Sequence, residues 1–142
     1  MSNINYNKFK DSLARLQERY NDYLEHKELQ GFLSESIKES CIQRFEICFD
    51  TSWKHLKKHL KEELGLADIQ DSPNPIFRKS EANNLINAAE VWIEFNKKRG
   101  DTTHDYSGDK AEETFAIIPL FIKEAIEAYE KISGEKWLNK KQ

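Results

Sequence analysis

The sequence predicts an all-α fold, an up-and-down bundle of four to five helices, and two observations carry that prediction. Apolar residues recur at three- and four-residue spacing through nearly the whole chain, and no stretch shows the two-residue alternation of a half-buried strand. Breaks fall at Gly31, at Gly65, around Ser72 and Pro73, and at Ser107-Gly108, leaving helix-length pieces with short connections. A chain of 142 residues suits one domain with a real core. That domain is expected to span 1–142, with its core over 7–132 and a basic tail over 133–142.

Each element has its own signal. The first helix is expected over 7–29, with Phe9, Leu13, Leu16, Tyr20, Tyr23 and Leu24 on one face, and Gly31 with Ser34 and Ser36 breaking it. The second, over 36–64, has the strongest stripe, in which Ile37, Cys41, Phe45, Cys48 and Phe49 are followed by Trp53, Leu56 and Leu60. Gly65 ends it. Pro73 and Pro75 suit the first turn of a short helix capped by Ser72 and carrying Ile76 and Phe77. Leu85 and Ile86 lead into a fourth helix over 87–98 with Val91, Trp92 and Phe95 inward. Gly100 reads as its C′ residue, behind the basic last turn Lys97-Lys98-Arg99, so that Asp101 or Thr102 caps a following turn. The last helix, over 109–132, carries Phe115, Ile118, Phe121, Ile122, Ile126 and Tyr129, and Pro119 is expected to kink or interrupt it. Trp137 and Leu138 offer apolar anchors in the tail.

Composition excludes several classes. Charged residues are 33% and mean hydropathy is −0.81, yet 38% of residues are hydrophobic, including three Trp, eight Phe and five Tyr. This is not a disordered composition. A net charge of −3 argues against broad nucleic-acid steering and leaves room for local basic patches. No apolar run has the length of a membrane span and the N-terminus has no signal-peptide core, so a cytoplasmic location is expected. Cys41 and Cys48 lie about 10 Å apart along one helix, too far for a disulfide, and read as small buried residues in a reducing compartment. His55 and His59 share a helix face, but Leu56-Lys57-Lys58 between them and Lys54 and Lys61 beside them make a solvated basic face the expected reading. No metal and no cofactor are implied. Walker, dinucleotide-binding and nucleotidyltransferase signatures are missing.

The stretch from Arg99 to Tyr106 concentrates chemistry. Within eight residues it holds Arg99, His104 and Tyr106: a planar guanidinium, an imidazole and a phenol. The first matches phosphate, and the second accepts and donates protons near neutrality. An Arg and a His five apart arise by chance in many proteins, so spacing alone gives only a candidate. Glu46, a polar residue beside the apolar stripe, has two readings: an internal partner of Arg44, Lys54 or Arg78, or a residue lining a cleft.

The ordered set Ile42-Gln43-Arg44-Phe45-Glu46, Phe49, Trp53-Lys54, Leu56-Lys57 and Leu60 resembles the second helix of the nucleotidyltransferase substrate-binding family. That family belongs to the HEPN superfamily and is close to the HepT-like toxins. The resemblance continues through Ser72-Pro73, Arg78, Leu85-Ile86, Trp92, Arg99, Thr103-His104 and Tyr106, and covers about residues 8–130. It implies a four- or five-helix bundle that dimerises, bringing two copies of the Arg-x4-His motif to a shared cleft. It further implies a minimal nucleotidyltransferase as partner. Carried over, Arg99 is the phosphate clamp, His104 the general acid/base, and Tyr106 the residue the partner modifies with AMP. The position after the Arg is usually polar in such motifs; here it is Gly100, with Asp101 next as a further cleft residue.

Two functions follow from the resemblance. One is a metal-independent ribonuclease, the toxin of a toxin–antitoxin pair, with RNA as substrate. The alternative is a non-catalytic subunit that binds substrate for a two-component nucleotidyltransferase. The intact Arg99, His104 and Tyr106 set favours the first, and Gly100 the second.

Overall fold

The computed structural model describes residues 4–28, 31–102 and 108–137, and among them every regular element is helical. Five helices follow in order: α1 (Asn7–His26), α2 (Phe32–Lys58), α3 (Pro73–Ala82), α4 (Ala89–Asp101) and α5 (Gly108–Ser133). A single π-turn, His59–Glu63, extends α2.

Helix α2 is the centre of the bundle and packs against all four others. Its stripe meets the rest in an aromatic core. The Phe121 ring of α5 lies 5.0 Å from Phe45 and 6.4 Å from Phe49 on α2, and 5.7 and 5.2 Å from Trp92 and Phe95 on α4. Phe77 brings α3 in, at 5.8 Å from Phe49 and 5.4 Å from Trp92. Most of these contacts are edge-on or tilted, the arrangement that ring quadrupoles favour. Helix α1 runs antiparallel to α2, since Phe9 near its start stacks on His55 while Tyr20 lies near Cys41. The tail is anchored by Trp137, whose indole N–H donates to Gln17 Oε1 at 3.2 Å and whose ring meets Tyr129 edge-on.

Several boundaries differ from expectation. Helix α1 stops at His26, and Leu29 lies outside the described residues. Helix α2 starts at Phe32, directly after Gly31 at φ +62, so Ser34 and Ser36 are helical: near a helix start short polar residues cost little. Gly65, at φ +65, closes the π-turn, and the Leu66 N–H reaches back to the Leu60 carbonyl at 3.0 Å. Pro119 sits on the exposed side of α5 without interrupting it. Leu24, placed in the α1 stripe, is 40% exposed.

The largest correction concerns His55 and His59. Both are buried rather than solvated. The N-terminal segment folds over them: His59 Nδ1 shares a hydrogen bond with Tyr6 Oη at 2.9 Å, and His55 Nδ1–H donates to the Thr51 carbonyl at 2.9 Å. Burial lowers both pKa values, with Lys58 and Lys8 pushing His55 the same way and Glu63 opposing at His59. The folded protein therefore holds them neutral where the unfolded chain begins to protonate, below about pH 6.5. Their contribution is complete above that pH and is lost as pH falls through the folded-state values. The thermal midpoint should drop between pH 7 and 5, above the range where carboxylates titrate. His55→Gln with His59→Gln should flatten that drop in circular-dichroism melts.

Cys41 and Cys48 are buried free thiols whose pKa values burial pushes up to about 12, so neither is a nucleophile near neutral pH. No helix among the described residues is long and apolar enough to cross a membrane.

Candidate functional site

Glu46 and Asp50 are four residues apart on α2 and so project from one face of it. That face looks onto the last turn of α4, where Arg99 stands. The guanidinium meets Asp50 through two of its nitrogens: Nε–H donates to Oδ1 at 3.3 Å and Nη2–H to Oδ2 at 3.1 Å. Its third nitrogen, Nη1, lies 3.5 Å from Glu46 Oε2. Glu46 is 7% exposed, and the Thr102 hydroxyl donates to the same Oε2 at 3.0 Å. Two carboxylates thus fix the plane of one guanidinium at the end of α4, immediately before residues 103–107.

Local structure explains why Arg99 is held there. Gly100 does not end the helix: it is helical, its φ is not in the left-handed region, and α4 runs on to Asp101. A hydroxyl takes the role expected of a glycine cap. Thr114 Oγ1–H donates to the Lys98 carbonyl at 3.3 Å and so serves the orphan end of the helix, while Thr102 Oγ1, whose proton goes to Glu46, lies 3.4 Å from the same carbonyl. Thr102 closes α4; any turn it caps next would lie in residues 103–107, outside the described residues. Space around Gly100 is open, since a Cβ there would meet nothing within 4 Å. The missing polar side chain is a feature of sequence, not of crowding.

The structure brings together Arg99 and Glu46, and adds Asp50, which sequence reasoning passed over. The available signal was the four-residue spacing from Glu46. Glu46 pairs with Arg99 and not with Arg44, Lys54 or Arg78; Arg78 instead reaches Glu90 at 3.4 Å. Asp101, the last residue of α4, faces Lys110 at 3.9 Å. Lys98 is held by Glu113 at 3.0 Å and Glu94 at 3.7 Å, and its hydrogen bond to Glu113 raises its pKa. His104 and Tyr106 lie outside the described residues.

A family model described as "Nucleotidyltransferase substrate binding protein like" matches residues 4–134. Among curated proteins, the chain is 25% identical over 101 residues to "Probable ribonuclease HepT" of Haemophilus influenzae, a match spanning 67% of this chain and 66% of that relative. Two solved structures share the fold. A Haemophilus influenzae protein, described as showing the fold of a substrate binding domain of a nucleotidyltransferase, superposes with a TM-score of 0.80 at 22% identity. That match covers 91% of this chain and 99% of the other. A Thermus thermophilus protein gives a TM-score of 0.72 at 24% identity over 87% and 98% of the two chains.

Proposed function

This chain belongs to the nucleotidyltransferase substrate-binding protein family, and from that premise we propose that it is a metal-independent ribonuclease controlled by a nucleotidyltransferase carried on another chain. The observation that carries the reading is the guanidinium of Arg99, fixed by Asp50 and Glu46 at the entrance to the segment that holds His104. A clamp for a phosphate transition state has to be oriented before substrate arrives, and a bidentate carboxylate pair does that. The curated relative named as a ribonuclease lends the reaction class.

Metal-free cleavage of RNA requires a base to take the 2′-hydroxyl proton, an acid to protonate the leaving 5′-oxygen, and positive charge for the developing phosphorane. One His104 supplies a single proton-transfer group. Two copies across a homodimer supply base and acid, with two Arg99 side chains for charge. Tyr106, two residues from His104, is the acceptor through which the partner switches activity off. Esterifying its phenol oxygen with AMP adds bulk and negative charge beside the phosphate site.

A second reading has one observation behind it. Arg99, Glu46 and Asp50 together sum to −1, so the guanidinium already carries its counter-charge. On that reading the junction is a structural tie and the chain a non-catalytic subunit of a two-component nucleotidyltransferase. Incubation of the purified dimer with RNA in EDTA decides between them. Cleavage that persists in EDTA and stops once the partner, Mg²⁺ and ATP have added AMP to Tyr106 is the expected result. Absence of cleavage by a protein that light scattering shows to be dimeric would favour the non-catalytic subunit.

A further inference from the structure

Away from the Arg99 junction a continuous cationic groove runs along α2, walled by α1 and the segment before it over its first two parts and by Asp71 at its far end. Three concavities of about 300, 560 and 420 Å³ follow one another along it, the first two sharing Lys8 and Thr51, the last two Lys54 and Lys58. Seven cations line it: Lys8 and Arg15 from α1, and Arg44, Lys54, Lys57, Lys58 and Lys61 from α2 and its π-turn. All of them except Lys57 are without an ion pair among the described residues. Elsewhere Arg19, Lys38, Lys98, Arg99 and Lys123 each have a carboxylate partner, while cations without an ion pair, such as Lys79 and Lys131, are scattered over other surfaces. Of the acidic groups lining the groove, Asp71 is engaged by Lys57 at 2.7 Å, which leaves Asp11 at one end and Glu62 at the other. A chain with a net charge of −3 therefore concentrates unpaired positive charge on one face.

We propose that this groove binds the phosphate backbone of a single RNA strand, independently of base sequence. From Arg44 to Lys61 it runs about 26 Å along α2, enough for several consecutive phosphates. Its centre lies about 100° around α2 from Glu46 and Asp50, so it is a surface separate from the Arg99 junction. Neutral donors from Asn5 and Asn7 stand between the cations and supply further hydrogen bonds to phosphate or ribose. A protein partner fits less well. Lysine is depleted in the cores of protein interfaces, and Ile47 is the one large exposed apolar side chain in the lining. RNA as the polyanion follows from the proposed ribonuclease role, and the surface extends that role by holding the strand away from the reacting phosphate.

The test is fluorescence anisotropy with a labelled oligouridine, using full-length protein carrying His104→Ala so that cleavage cannot consume the probe. Binding should weaken with salt at a log–log slope of about −3 to −4, for roughly four to six neutralised phosphates. Lys54→Gln with Lys58→Gln should reduce the slope's magnitude by about 1.4 and weaken binding about tenfold or more at low salt. Both side chains are exposed, so the fold should persist, and an off-groove pair, Lys79→Gln with Lys131→Gln, should leave binding unchanged. Oligoadenosine should bind like oligouridine. Unchanged affinity and slope in the groove variant, or no probe binding by the starting protein, overturns the proposal. So does loss of binding to the nucleotidyltransferase with RNA affinity intact, which would make the groove a protein interface. Because the readout is binding in a cleavage-free background, failure of the ribonuclease reading leaves this result standing, and the reverse also holds.

Discussion

His104→Ala should leave a folded dimer whose RNA cleavage is slower by about 10²–10⁴-fold, the usual loss when a proton-transfer group is removed. Arg99→Ala should lose a comparable factor by removing transition-state charge stabilisation, but it should also cost stability. Arg99 ties α4 to α2 through the bidentate contact with Asp50 and the ion pair with Glu46. Asp50 is half-exposed and its share small, while buried Glu46 loses a charged partner, so about 1–2 kcal/mol is expected. Arg99→Lys separates the two roles: an ammonium keeps the charge but cannot span both carboxylates and a phosphate with a planar fork. It should fold nearly as the original and still cleave slowly. Rates on a defined RNA, read beside thermal melts of each variant, check these outcomes. A soluble His104→Ala protein that cleaves at the original rate would remove the ribonuclease reading.

Phe121→Ala should be the most damaging single truncation in the core. The ring is fully buried and touches aromatic side chains of both α2 and α4. Its removal costs about 3–5 kcal/mol, transfer and cavity terms together, out of a total of about 5–15 kcal/mol for a domain. The melting temperature should fall by on the order of 10 °C. Phe121→Leu keeps most of the volume and should cost about a third as much. The consequence reaches the candidate site, because the same ring sets the separation of α2 and α4 across which Arg99 meets Asp50. Chemical denaturation measures the loss, and a change below about 1.5 kcal/mol would show that the core repacks around the gap.

The number and order of the helices, and the residues that form their buried faces, were legible in the sequence. An amphipathic helix writes its period into neighbouring residues. The stripe from Ile37 to Leu60, and the one from Phe115 to Tyr129, can therefore be read before anything is known of what they pack against. The pairing of a cation with a histidine around Gly100 was equally visible as a motif. What the sequence could not state was which polar groups meet across helices. Asp50 and Arg99 are 49 positions apart, and their contact exists only because aromatic packing holds α2 against α4. His55 and His59 sit among lysines in the sequence, yet the fold lays Tyr6 and Phe9 over them and buries both. Gly100 looked like a helix stop because a glycine there offers a left-handed turn; the helix continued to Asp101 and the Thr114 hydroxyl from α5 reached its end instead. Periodicity is local and fixes the elements. Burial, ion pairing and caps depend on the neighbouring helix that arrives, and only the tertiary structure decides that.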